Sequence, residues 1–220
     1  MTRRFDLRLK LPNHALFVGA SMSGKTRLVL HLLSSIEVMD PIPRTILFFY
    51  DQYQDLYQEI KKSLALKGIQ MILREGSAVK LDELEKQTHQ TLVIIDDATE
   101  ETASSMDIAK ITTNGRHKNL SLWLIWHSLY SKHAASRLIT QNVSYIFLLP
   151  SVRLVSQIHR LDSQLGYKGG LVSAYKQAVD DDQEHRYLML DLAPSTPSDF
   201  RLRSRITACL TNDPQHLFLI

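Results

Sequence analysis

The apolar residues of this chain fall into short continuous runs. His14-Ala15-Leu16-Phe17-Val18, Thr45-Ile46-Leu47-Phe48-Phe49-Tyr50, Gln70-Met71-Ile72-Leu73 and Thr91-Leu92-Val93-Ile94-Ile95 are four, and residues 120–126 and 145–149 are two more. Runs of this length, rich in β-branched and aromatic residues and free of Gly and Pro, predict strands buried on both faces. Between them lie helical stretches. Residues 27–33 continue without Gly or Pro, and Leu56, Ile60 and Leu64 repeat at intervals of four up to Gly68, a helix with its stop signal. Residues 81–87 predict a further helical turn or two. Continuous apolar strands alternating with helices predict an α/β fold, a mostly parallel sheet with helices on both faces.

The two ends read differently. Phe5, Leu7, Leu9 and Leu11 alternate with polar residues and predict a short N-terminal strand, and residues 186–192 predict one more near the C-terminus. Residues 200–206 also alternate, placing Arg201, Arg203 and Arg205 on one face. That face is either the solvated side of an edge strand, guarded by charge, or a strip that contacts phosphates.

Composition narrows the class. With 220 residues, 44% of them hydrophobic and 22% charged, the chain can bury one sizeable core, so one domain over 1–220 is expected. No apolar run approaches the roughly 20 residues that span a bilayer. The basic N-terminal decapeptide lacks the apolar centre of a secretory signal. The single cysteine, Cys209, excludes an internal disulfide and fits a reducing compartment. A net charge of +3 and a pI near 8.9 are compatible with a polyanionic partner without requiring one.

Chemistry concentrates after the first strand. Gly19-Ala20-Ser21-Met22-Ser23-Gly24-Lys25-Thr26 fits the Gly-x4-Gly-Lys-Thr phosphate loop, and a chance match in a chain this long is on the order of 1%. A strand precedes it and a helix, beginning near Arg27, follows. Such a loop aims backbone N–H groups and a helix dipole at an anion. Lys25 would reach the β- and γ-phosphates of ATP, and the Thr26 hydroxyl would ligate Mg²⁺. A glycine turn that binds nothing is the bland alternative.

About 70 residues on, Val93-Ile94-Ile95-Asp96-Asp97 is a buried run ending in carboxylates, the form of a Walker B strand. Asp96 would hold Mg²⁺ opposite Thr26, and Asp97 would polarise the attacking water. Acidic pairs at strand ends also cap the helix that follows. Downstream, Asn114-Gly115-Arg116-His117-Lys118-Asn119 is a polar loop, and His127 follows the strand that ends Ile125-Trp126. Arg116 is a candidate charge clamp on a neighbour's nucleotide, with a surface arginine as the alternative. His127 is a candidate γ-phosphate sensor, or a hydrogen-bonded histidine at a strand end.

In this order, phosphate loop, Val93-Ile94-Ile95-Asp96-Asp97-Ala98, Thr113-Asn114-Gly115-Arg116-His117-Lys118-Asn119-Leu120-Ser121 and Ile125-Trp126-His127-Ser128-Leu129-Tyr130, the chain resembles the HerA/FtsK superfamily of DNA-pumping ATPases. Within it, the similarity is to the genome-packaging ATPases of large DNA viruses and Maverick/Polinton-type elements. The likeness spans about residues 12–150. It departs at His127, where the family usually carries Gln. The resemblance implies a RecA-like P-loop ATPase of the additional-strand type, with residues 151–220 completing the sheet and contributing oligomer or DNA contacts. It further implies a pentamer or hexamer ring that drives double-stranded DNA into a preformed capsid, with a capsid or portal-vertex protein as partner. Its setting would be the cytoplasm or nucleus of an infected cell, or the virion. Rival readings are a helicase or partitioning motor with no capsid role, a P-loop kinase of a small molecule or nucleotide, and a nucleotide-gated scaffold with vestigial hydrolysis.

Overall fold

Alternation of side chains along each strand splits the apolar residues between two cores, and this sets the layers. The computed structural model describes residues 5–76, 79, 84, 88–181, 185–210 and 216–218. Its elements in chain order are β1 (Leu9–Lys10), β2 (His14–Val18), α1 (Lys25–Ser34), β3 (Met39–Asp40), β4 (Thr45–Tyr50), α2 (Asp55–Leu66), β5 (Gln70–Glu75) and β6 (Thr91–Ile95). Then come α3 (Glu100–Ser104), α4 (Met106–Asn114), β7 (Leu120–Trp126), α5 (Ala134–Asn142), β8 (Tyr145–Leu148), α6 (Val155–Leu165), α7 (Gly170–Asp180), β9 (Leu188–Asp191), β10 (Leu202–Ser204) and β11 (His216–Leu217).

Nine of the strands form one sheet in the order β11-β10-β9-β8-β2-β7-β6-β4-β5. The six from β8 to β5 are parallel, and β9, β10 and β11 add to them antiparallel. Ala15 and Phe17 face one core with α1 and α2, whereas Leu16 and Val18 face the other with α4, α5, α6 and α7. Helices therefore cover both faces, as the continuous apolar runs require. Strand β7 lies between β2 and β6, so one strand separates the phosphate-loop strand from the acidic one. Registers Val18↔Trp126 and Ile95↔Leu124 bring the ends of all three to one edge, where ligands of open α/β sheets bind.

Several expectations change. The N-terminal strand shrinks to β1, which pairs with β3 outside the main sheet, while Phe5 stacks on Phe200 at 5.2 Å. The expected helical turns at 81–87 lie outside the described residues, Leu84 excepted. Helices α6 and α7 were not anticipated, although Ile158 and Leu161 on α6 and Leu171, Ala174, Tyr175 and Ala178 on α7 have helical spacing. The arginine strip is corrected. β10 is flanked by β9 and β11, and Arg203 is 1% exposed. Its guanidinium donates to Asp191 Oδ2 at 2.8 Å and to the Leu7 carbonyl at 2.8 Å. Arg203 faces neither solvent nor a ligand, because the N-terminal segment at Leu7 lies over its side of the strand and Asp191 pairs with it.

Candidate active site

Between β2 and α1 the chain turns back on itself so tightly that only glycine fits at position 19. A Cβ there would lie 2.4 Å from Ser23 Oγ and 2.9 Å from the Leu149 Cβ. The Ser23 N–H donates to the Ala20 carbonyl at 3.2 Å. Met22 and Gly24 take left-handed φ values of 62° and 90°. For Met22, fully exposed, this backbone costs on the order of 1 kcal/mol. Loops of alternating handedness turn N–H groups toward one point, and the first turn of α1 adds its own N–H groups and dipole. Residues 19–26 thus form a cradle for an anion.

Lys25 is 7% exposed. Its ammonium donates to the carbonyls of Gly19 (3.1 Å) and Ala20 (2.9 Å) and lies 3.4 Å from His127 Nδ1. Burial pulls its pKa down, against the raising effect of Asp97 and Asp96. An ammonium only donates, so Nδ1 of His127 accepts and Nε2 carries the proton. That Nε2 contacts Asp97 Oδ1 at 2.7 Å. Asp97 itself takes the left-handed φ of 55°, and its exposed carboxylate meets the histidine.

Asp96, buried beside it, accepts from two hydroxyls. Thr26 Oγ1 donates to Oδ1 at 2.8 Å, and Tyr57 Oη to Oδ2 at 2.8 Å. Burial raises the pKa of Asp96, and both hydroxyls oppose that shift. Burial, then Asp96, pushes the Tyr57 phenol well above the usual range. Lys25, Thr26, Tyr57, Asp96, Asp97 and His127 line one cavity of about 580 Å³. A second cavity of about 470 Å³ opens on the other flank of the same loop, between Arg27, Leu28, Pro150 and Arg186.

A hydroxyl and a carboxylate 2.8 Å apart, both facing the loop, are the hard oxygen donors that Mg²⁺ takes alongside substrate phosphates and water. Among the described residues, no group of three or more His, Cys, Asp or Glu side chains gathers as a metal site. The remaining ligands would come from the substrate.

The sequence-derived candidates from Gly19 to Arg27, with Asp96, Asp97 and His127, are thus brought together. Arg116 is not. It sits in a 3-10 turn, Gly115–Lys118, at the N-terminal end of β7. The seven residues of β7 separate it from the phosphate-loop edge by roughly 23 Å at strand rise. Its nearest electrostatic effect is on His14, whose pKa falls to about 3, mainly through burial and then through Arg116. Tyr57 was missed. Its signal, an aromatic on the buried stripe of α2, is the same as that of a core residue.

No protein-family model and no curated protein matches this chain. Solved structures share its fold. The genome packaging NTPase B204 of Sulfolobus turreted icosahedral virus 2 in complex with ATP-gammaS matches with TM-score 0.54 and 15% identity, over 84% of this chain and 94% of that one. Its AMPPCP complex matches with TM-score 0.51 and 16% identity over the same shares. The mostly parallel sheet and the helices on both its faces are those of a P-loop NTPase fold.

Proposed function

We propose that this protein is a Mg²⁺-dependent ATP hydrolase whose turnover drives double-stranded DNA into a preformed viral capsid. The observation that carries the enzymatic part is the convergence of Lys25, Thr26, Asp96, Asp97 and His127 on one cavity at the sheet edge. The shared fold with a viral packaging NTPase and the sequence resemblance support the DNA and capsid parts, together with a pentamer or hexamer ring and a portal-vertex partner.

In this reading the N–H groups of residues 20–26 wrap the phosphates. The incoming triphosphate takes over the Lys25 ammonium from the Gly19 and Ala20 carbonyls, so the loop exchanges internal contacts for ligand contacts. Thr26 and Asp96 would hold Mg²⁺, which would supply positive charge to offset that of the phosphates. Asp97 accepts a hydrogen bond from the attacking water and orients it in line with the γ-phosphorus. His127 donates to Asp97 and touches Lys25, so it senses whether Lys25 has been drawn onto phosphate.

The test is the ATPase rate with and without double-stranded DNA, alongside native mass in the presence of a non-hydrolysable ATP analogue. The reading expects DNA-stimulated hydrolysis and a closed ring. A monomer that phosphorylates a small acceptor, with no response to DNA, would replace it with the kinase reading.

A further inference from the structure

The Asp97–His127 pair is a partition with a further cavity behind it. That space, about 870 Å³, is larger than the phosphate-loop cavity and shares both residues with it. Its other walls come from the segment after β7, including Tyr130, Lys132 and His133, and from Arg160 on α6. Lys132, His133 and Arg160 are all exposed. Among the described residues, none of the three forms an ion pair with a carboxylate. Among the described residues of the wall, Asp97 is the one carboxylate, and it is engaged by His127.

This wall is built rather than loose. Gln157 Oε1 of α6 accepts from Ser128 Oγ at 3.0 Å and from the Leu129 N–H at 2.8 Å. Tyr130 Oη donates to Gln164 Oε1 at 2.8 Å, and the Arg160 guanidinium lies 4.5 Å over the Tyr130 ring. A guanidinium over an aromatic face is held by cation–π attraction and still has N–H groups to offer an anion. Two cations, Lys132 and Arg160, without acidic partners among the described residues, and the His133 imidazole beside them, make an anion site that suits the phosphates of a nucleic-acid backbone.

We infer that this cavity is the nucleic-acid contact: it takes the phosphodiester backbone of double-stranded DNA on Lys132, His133 and Arg160. The inference rests on the nucleotide reading of the neighbouring cavity for its consequence, not for binding itself. DNA phosphate here lies one side chain from the Asp97–His127 pair, so its arrival and the orientation of the attacking water share a wall.

The experiment uses the full chain, a short fluorescent DNA duplex and a salt titration of its affinity, with Lys132→Ala/Arg160→Ala against wild type. Each lost phosphate contact lowers the slope of log affinity against log salt by about 0.9. The double variant should therefore lose about 2 from that slope and at least about tenfold in affinity at low salt. Lys132→Arg/Arg160→Lys should retain both. A fluorescent ATP analogue should bind all variants equally, and basal ATPase should persist while its stimulation by duplex disappears. Equal nucleotide binding also verifies folding, and Lys132→Glu, a lone change in an exposed segment, provides a second variant. Duplex affinity and salt slope unchanged in the double variant and in Lys132→Glu would overturn the site, as would a wild type that ignores duplex at low salt. Competition by inorganic phosphate as strong as by duplex would reassign the cavity to a free anion. Loss of ATP binding in wild type would instead strike the enzymatic proposal and leave the duplex result standing.

Discussion

Tyr57 and Asp96, 39 residues apart in sequence, are joined by a 2.8 Å hydrogen bond in which the phenol donates to the carboxylate. Tyr57 is completely buried and its ring packs against Phe48 and Tyr50. The carboxylate proposed to hold Mg²⁺ is thereby anchored to helix α2 as well as to the phosphate loop.

Tyr57→Phe keeps the ring and removes only the hydroxyl. Nucleotide affinity in the presence of Mg²⁺ should fall roughly tenfold, the equivalent of about one hydrogen bond to a charged group, while affinity without Mg²⁺ stays within about twofold. Titrating a fluorescent nucleotide with and without Mg²⁺ reads the difference. An equal loss in both conditions would make Tyr57 a packing residue only.

The two carboxylates should separate in their effects. Asp97→Asn should block hydrolysis with Mg-ATP binding nearly intact, since an amide accepts no proton, whereas Asp96→Asn should mainly weaken the metal. Lys25→Ala should cost at least about a hundredfold in turnover by removing a preorganised charge at the phosphates. Turnover within about twofold of wild type in that last variant would remove the phosphate-loop assignment. The reverse pattern at 96 and 97 would exchange the two roles.

Arg116 lies at the far edge of the sheet from its own phosphate loop, so any finger role must act on a neighbour. Arg116→Ala should leave nucleotide affinity unchanged. Mixed with Lys25→Ala subunits in rings verified by native mass, it should regain activity, because one interface can then pair an intact loop with an intact arginine. The loss of such a finger commonly costs about 10³-fold, so rescue would be conspicuous. Without it, Arg137 and Arg153 become the next candidates.

Arg203 and Asp191 form a fully buried pair, with side chains 1% and 3% exposed. Arg203→Ala strands the carboxylate and should cost about 3–5 kcal/mol. Arg203→Leu/Asp191→Asn should recover most of this, since both charges leave together. Urea denaturation measures both variants, and a loss below about 1 kcal/mol in the single variant would mean that water reaches Asp191.

His14 is buried in the neutral form, its Nδ1 accepting from the Leu122 N–H at 3.2 Å. With a pKa near 3 in the fold against 6.5 unfolded, its contribution is complete above pH 6.5. Below that the unfolded chain takes up a proton that the native state refuses, so stability falls by about 1.4 kcal/mol per pH unit until about pH 3. His14→Leu should remove that part of the slope between pH 6 and 4, measured by urea denaturation at several pH values. An unchanged slope would mean that His14 protonates in place.

The layered α/β fold, the phosphate loop and the acidic strand end were legible in the sequence because each is local. Burial on both faces makes a strand uniformly apolar, and a loop that cradles phosphate needs its glycines, lysine and threonine at set spacings. Contacts across the sheet were not legible. Whether Arg203 meets solvent depends on the N-terminal segment at Leu7 lying over it, and strand alternation is the same either way. Tyr57 reads as core until helix α2 is laid over the end of β6. The distance from Arg116 to the phosphate loop follows from strand direction alone, since a loop entering a strand lies at the opposite edge from a loop leaving it. The Asp97–His127 partition exists only because β7 lies beside β6 in this register, with left-handed backbone at Asp97. Pairings between residues tens of positions apart are set by how strands and helices stack, and no short window of sequence carries that information.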